Sequence, residues 1–233
     1  MKRFAAFVFA VLLLAPALAL AQGQPAYTEL KPPLPVDNDG RIQVLEFFWY
    51  GCIHCYNLEP TVEKCEKTLP KDVEFRRVPA IFNDRWALDA QIFYAFEAMG
   101  VLGKLHRPFF DAIHRDHLRT DNPQALAEWL QKQGIDPKKF NDTVKSFGVQ
   151  SKLRRATQQT VAYKIDGTPA MAVNGRYTVS AEQGGTQQGM LDVVSELLAT
   201  VRKSKYGESS PAPPRVSARP WRGTMQPPAT SSA

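Results

Sequence analysis

Two cysteines at the joint between a strand and a helix constrain this chain more than any other feature. Residues 44–56 read Val-Leu-Glu-Phe-Phe-Trp-Tyr-Gly-Cys-Ile-His-Cys-Tyr, an apolar β-strand, a short turn, and a cysteine pair opening a helix. Thiols separated by two residues can close a disulfide or share a metal. A thiol at a helix N-terminus has its thiolate favoured by the unpaired N–H groups and the positive dipole end. His54, between the two, adds a second positive influence when protonated.

The compartment follows from the first residues. Lys2 and Arg3 precede an uncharged apolar run from Phe4 to Leu20 that contains Pro16 and ends in Ala19-Leu20-Ala21, a small-x-small cleavage pattern. The competing reading is an uncleaved anchor, since the run approaches bilayer-spanning length. Pro16 and the alanine-rich end favour cleavage after Ala21, which implies export of the mature protein, and disulfides persist in the oxidising compartments that exported proteins reach. Three cysteines are too few to staple a small scaffold, so the core must come from burial, and about 180 residues between signal and tail suffice for one domain. Without Lys2 and Arg3 the formal net charge drops from +6 to +4, and no run of five like charges occurs. That balance gives no case for nucleic acid.

Along the chain, 22–40 is a proline-rich extended lead-in closing on Asp37-Asn38-Asp39-Gly40, a turn signal. Ile42 to Phe48 is a strand apolar on both faces except at Gln43 and Glu46, which suits a central strand covered on both sides. A helix from Cys55 to about Leu69 carries Leu58, Val62, Cys65 and Leu69 as one core-facing edge. Cys65 on that edge is a small buried hydrophobe. A strand spans Val73 to Val78. Consecutive helices follow: Arg85 to Met99, Leu102 to Leu118, Pro123 to Gln133 capped by Asn122, Pro137 to about Phe147, and Ser151 to Lys164. His114 and His117 are read as solvated. Two strands, Ala170 to Val173 and Arg176 to Val179, are joined by Asn174-Gly175, a strong hairpin turn. The last helix runs from Thr186 to Arg202. From Tyr206 on, proline, serine and arginine dominate, and the tail is expected to be disordered.

The order β-α-β, helical insert, β-β-α is that of a thioredoxin-like fold, an α/β architecture with an inserted all-helical domain. Its expected parts are a signal peptide, 1–21, a first thioredoxin-like part, 22–83, the insertion, 84–150, a second part, 151–205, and the tail, 206–233.

The chemistry divides between the cysteines. Cys52 precedes its helix and is the more exposed thiol, while Cys55 is sheltered one turn in. A substrate thiolate attacks Cys52, and a second substrate thiol resolves the mixed disulfide. Each unit by which the Cys52 pKa falls is worth ~1.4 kcal/mol, or about 30 mV in a two-electron couple, in the oxidising direction. Thr168-Pro169, ahead of a strand, is a candidate substrate-facing loop; from spacing alone its default is a trans proline opening that strand. Glu46, a carboxyl in an apolar strand, is expected to be desolvated with a raised pKa. It could accept or relay the Cys55 proton, with Glu59 sharing that role or lying exposed on the helix.

These residues carry a family resemblance. Leu45 to Tyr56, with Glu59, resembles the active-site region of the DsbA family, exported thiol:disulfide oxidoreductases. Gly167-Thr168-Pro169-Ala170 is similar to the family's cis-proline loop, and Gly184-Gly185 before the last helix is similar too. The resemblance covers about residues 26–205. It implies a thioredoxin domain with a helical insertion, a cis Pro169, oxidation of thiols in reduced exported polypeptides, and reoxidation by a quinone-linked inner-membrane partner of the DsbB type. No cofactor is expected beyond the Cys52–Cys55 disulfide, no metal, and a monomer. Well-known members have Pro-His between the cysteines where this chain has Ile53-His54, and Val before the cis-proline where it has Thr168; the inter-cysteine pair tunes thiolate stability, so Ile53 bears on the redox potential. The basic residue that accompanies the buried glutamates in some members has no clear match, Arg76 and Arg77 being only nearby.

Three other readings compete. An isomerase or reductase of the same fold would use the same cysteines, but 22–41 is too short for the dimerisation domain usual in exported isomerases. A metal-binding module lacks a second ligand pair, and Tyr56 stands where a c-type haem site needs histidine. A chaperone-like binding protein would use an apolar groove around the pair.

Overall fold

The computed structural model describes residues 25–36 and 39–206. The expected signal segment, Asp37-Asn38 of the turn, and the tail from Gly207 lie outside the described residues. Among the described residues, five strands form one mixed sheet in the order β1-β5-β4-β2-β3. β2 (Ile42–Phe48) is fully buried, with β3 (Val73–Pro79) parallel on one side and β4 (Ala170–Val173) antiparallel on the other.

The two faces of β2 belong to different cores. Ile42 and Val44 pack with Leu58 and Val62 of α1 (Ile53–Glu66) and with Met190, Leu191 and Val194 of α7 (Gln187–Tyr206). Leu45 and Phe47 face the opposite core, with Phe93, Phe96 and Phe109. That core is closed by five helices: α2 (Asp84–Ala98), α3 (Leu102–His114), α4 (Pro123–Lys132), α5 (Pro137–Val144) and α6 (Phe147–Ala162). Burial on both faces explains the nearly unbroken apolar run of the strand. By the two-residue period of a strand, Glu46 points to the α1 side with Ile42 and Val44.

Local chemistry sets most of the boundaries. Asn83, Asn122, Asp136 and Ser146 each accept a backbone N–H of the helix that follows, as N-cap residues do. The Ser146 cap starts α6 at Phe147, four residues before the expected Ser151, so the expected 150/151 join falls inside a helix. α3 ends at His114 rather than Leu118, whereas α7 continues to Tyr206. Asn174 and Gly175, at φ 51° and 65°, make the turn between β4 and β5 (Tyr177–Ser180). Both angles are left-handed, as a two-residue hairpin of this kind requires. A Cβ at Gly175 would also overlap the Leu34 carbonyl.

The lead-in is more ordered than expected. β1 (Thr28–Glu29) pairs antiparallel with β5, with Thr28 opposite Thr178. The pairing extends through hydrogen bonds from Leu30 N–H to the Arg176 carbonyl and from Leu34 N–H to the Gly175 carbonyl. Leu30 is buried, and Arg176 pairs with Glu29 at 2.8 Å. Two residues between prolines are too short for a periodic signal, and a short edge strand is how sheets blunt their ends. Among the described residues no helix is long and apolar enough to cross a membrane.

Candidate active site

The strand β2 ends at Phe48, and the turn 49–51 hands the chain to α1. Trp49 and Tyr50 of that turn are held by the helical block. Trp49 stacks on Trp86 at 4.3 Å and donates Nε1–H to Asp89 at 2.8 Å. Asp89, itself buried, is fixed by Arg85 and Thr120. The Tyr50 ring is buried against Phe109 and Phe110; its hydroxyl meets His106 Nδ1, and its carbonyl meets His114 Nε2, both at 2.8 Å. At Gly51 any Cβ would overlap the Trp49 indole, so the turn closes only with glycine there.

This frame sets Cys52 as the N-cap of α1, with its sulfur accepting the Cys55 N–H at 3.4 Å. In its thiol form Cys52 donates to the Thr168 carbonyl at 3.3 Å. The pair is present as free cysteines, Cys52 half-buried and Cys55 buried. Hydrogen bonding from the Cys55 side chain, from the Thr168 side chain and from the N–H groups of Cys55 and His54 outweighs burial and lowers the Cys52 pKa to about 5. Cys55, 1% exposed, is driven the other way: burial, then Cys52 and nearby Glu46, push its thiol well above the ordinary range. One residue pair therefore holds a ready thiolate and a reluctant one.

Ile53 and His54 lie exposed on the first turn of α1. What His54 brings to Cys52 here is its main-chain N–H, and its carbonyl accepts Gln187 Nε2–H at 2.7 Å. The Thr168–Pro169 peptide is cis, so the trans default taken from spacing is corrected and the geometry expected from the resemblance is present. Pro169 directly precedes β4, the neighbour of β2, which explains how a loop 116 residues away meets Cys52.

Behind the cysteines lies a buried ionic cluster. Glu46 is 0% exposed and neither of its oxygens has a hydrogen-bond partner. Burial first, then the charge of Glu59, push its pKa up to about 8 against the pull of Arg77. Glu59 is 1% exposed, not the exposed helix carboxylate that was one expectation for it. Burial would raise it too, but His106 and Arg77 together hold it below its ordinary value. Arg77 sits among three carboxylates, at 2.8 Å from Glu59, 2.7 Å from Glu66 and 3.4 Å from Glu46. Cys65 stands apart, buried on the core side of α1, its thiol raised by burial to about 11. Among the described residues no three His, Cys, Asp or Glu side chains gather as a metal site would need.

A sequence model of the DSBA-like thioredoxin domain matches residues 72–192 of the chain. The thiol:disulfide interchange protein DsbA of Azotobacter vinelandii is 41% identical over 179 residues, covering 77% of this chain and 84% of that one. That of Bordetella pertussis is 42% identical over 200 residues, covering 85% and 95%. The chain belongs to the DsbA family. In solved structures, Pseudomonas aeruginosa DsbA superposes with a TM-score of 0.73 at 37% identity, covering 77% of this chain and 94% of that one. The thioredoxin-like fold with a helical insertion is shared with these DsbA structures.

Three residues of this DsbA site were missed in the sequence. Arg77, dismissed there as only nearby, is the basic partner of the buried glutamates. A signal existed: Glu46 and Arg77 are each the fifth residue of parallel strands and lie opposite each other in register. His114, expected to be solvated, is half-buried, stacked on Tyr56 at 4.8 Å and bonded to the turn, whereas His117 is exposed as expected. His106 carries no local signature, since its partners Tyr50 and Glu59 are 56 and 47 positions away in sequence.

Proposed function

We propose that this protein oxidises cysteine pairs in exported polypeptides by transferring its Cys52–Cys55 disulfide to them. It is a thiol:disulfide oxidoreductase, as its family membership establishes, and the direction is what the site geometry argues. The observation that carries the direction is the placement of the two sulfurs: Cys52 caps the first turn of α1 beside the Cys55 side chain and accepts the Cys55 N–H, which lowers it to about 5, while Cys55 is buried, which pushes it up. Reduction of the pair yields a thiolate at Cys52 that the protein stabilises, and each unit of such stabilisation adds about 30 mV of oxidising power.

The steps follow from the arrangement. A substrate thiolate attacks Cys52 Sγ, the half-exposed sulfur, and Cys55 leaves and takes up a proton. A second substrate thiolate then attacks the substrate sulfur of the mixed disulfide, and Cys52 departs as the thiolate. Two electrons pass from the substrate pair to the protein. Pro169 and Thr168 would flank the incoming chain, since a proline has no N–H to compete for backbone bonding and the Thr168 carbonyl lies 3.3 Å from Cys52. Glu46 would exchange the proton of Cys55, with Glu59 setting its charge, and Ile53, Thr168 and the His54 N–H would tune the thiolate.

On this reading the redox-active disulfide is the only cofactor. The substrates are reduced exported polypeptides, and a DsbB-type quinone-linked membrane protein restores the disulfide. The protein acts as a monomer in the periplasm after cleavage near Ala21, with a helical insertion that begins near residue 84 and returns to the second thioredoxin-like part along α6.

Equilibrating the protein with reduced and oxidised glutathione tests the direction. A donor equilibrates at a potential well above that of cytosolic thioredoxin, about −270 mV. A value at or below that level would assign the same cysteines to a reductase.

A further inference from the structure

His106 of α3 lies 6% exposed behind the turn that carries Cys52. Its Nδ1 is 2.8 Å from the Tyr50 hydroxyl, and its Nε2, which makes no hydrogen bond, is 3.4 Å from Glu59 Oε1. Phe48, Phe93 and Phe110 surround the ring with centroids 5.2–5.9 Å away. The phenol of Tyr50 is buried, and burial raises its pKa far above the ordinary value, so it keeps its proton and can donate to Nδ1. That bond leaves the imidazole proton on Nε2, facing the Glu59 carboxylate. Inside this buried aromatic cage such a contact is scarcely screened.

We propose that His106 is a positioning residue of the exchange reaction: oriented by Tyr50, it holds the charge on Glu59 and thereby the proton on Glu46 that Cys55 takes up. This rests on the disulfide-donor reading above. When the Cys52–Cys55 bond breaks, the pair gains two electrons. Cys52 ends as a thiolate, Cys55 as a thiol bearing the proton of Glu46, and the Glu46 carboxylate is reprotonated from water. The charged and titratable groups facing Glu46 are Glu59, Glu66 and Cys55 from α1 and Arg77 from β3, while β4 presents only Met171 opposite it. Glu59 is the largest charge acting to keep the proton on Glu46, and His106 is the largest influence keeping Glu59 charged. Without His106, Glu59 competes for the proton that Glu46 now holds.

The test is the pH dependence of the glutathione equilibrium in the parent, His106→Leu, His106→Gln and Tyr50→Phe. The parent profile should bend near pH 8, where Glu46 titrates. His106→Leu should raise that bend by about one pH unit, because Glu46 and Glu59 then share the last proton and both must be charged for it to leave, whereas His106→Gln, which retains an N–H toward Glu59, should stay within about 0.3. Tyr50→Phe removes one oxygen and the hold on the ring proton, and should shift the bend in the same direction as leucine; it serves alone if the leucine variant fails to fold. A purely structural histidine would lower the melting temperature of both His106 variants and leave the bend in place. An unmoved bend in His106→Leu or Tyr50→Phe, or a glutamine variant shifted as far as leucine, overturns the proposal. Failure of the parent to transfer its disulfide would instead overturn the donor reading.

Discussion

Replacing Cys52 with serine is expected to reduce disulfide transfer to a peptide dithiol to the uncatalysed background. The other thiol cannot take over. Cys55 is 1% exposed, and burial raises its pKa well above the ordinary range, so at neutral pH it is neither reachable nor ionised. Cys55→Ser should behave differently. Cys52 keeps its place at the helix N-terminus and remains reactive, but a mixed disulfide with oxidised glutathione persists because the neighbouring thiol that would displace it is gone. Mass spectrometry of both variants after incubation with oxidised glutathione reads the difference directly. A Cys52→Ser protein retaining transfer would mean that a sulfur other than Cys52 receives the substrate thiolate.

Replacing Arg77 with leucine carries the largest expected loss of stability, about 3–5 kcal/mol, because it leaves buried carboxylates without their counter-charge. The pH dependence fixes the cause. Glu46, with a folded pKa near 8 against an ordinary 4.5, binds more protons folded than unfolded between those values, so its burial costs more as pH rises through that window. Glu59 is lowered in the parent, so its contribution is present above its ordinary pKa and lost as pH falls through the folded value. Removing Arg77 raises both groups, makes the neutral-pH penalty larger, and lets acid relieve part of it. Urea unfolding of the leucine variant should therefore show a smaller deficit at pH 5 than at pH 8. A deficit under about 1 kcal/mol at both pH values would mean that Arg77 contributes no more than an exposed ion pair does.

How much of this could be read from the chain depended on the range of each interaction. The strand–cysteine–helix joint, the Asn174-Gly175 turn and the Asn122 cap are local events, each written in adjacent residues, and the structure has them where the pattern put them. The apolar run of β2 showed a strand buried on both faces because that requirement acts on every residue in it. The β1 pairing left no trace, since two residues between prolines have no period. Arg77 needed the register of β3 against β2, which is set by packing over the whole sheet. His106 needed the path of α3 over the turn, so its neighbours became visible only in three dimensions. The cis state of Pro169 lay between these cases: spacing argued for trans, and only the resemblance of the loop argued otherwise.

The fold favours the Cys52 thiolate by presenting the first turn of α1, the Cys55 side chain and Thr168 to its sulfur. Titrating the ultraviolet absorbance of the thiolate in the reduced protein, with Cys52→Ser as the blank, measures this most directly. The expected midpoint lies near pH 5. A midpoint near the value for an ordinary cysteine, about 8.5, would contradict it.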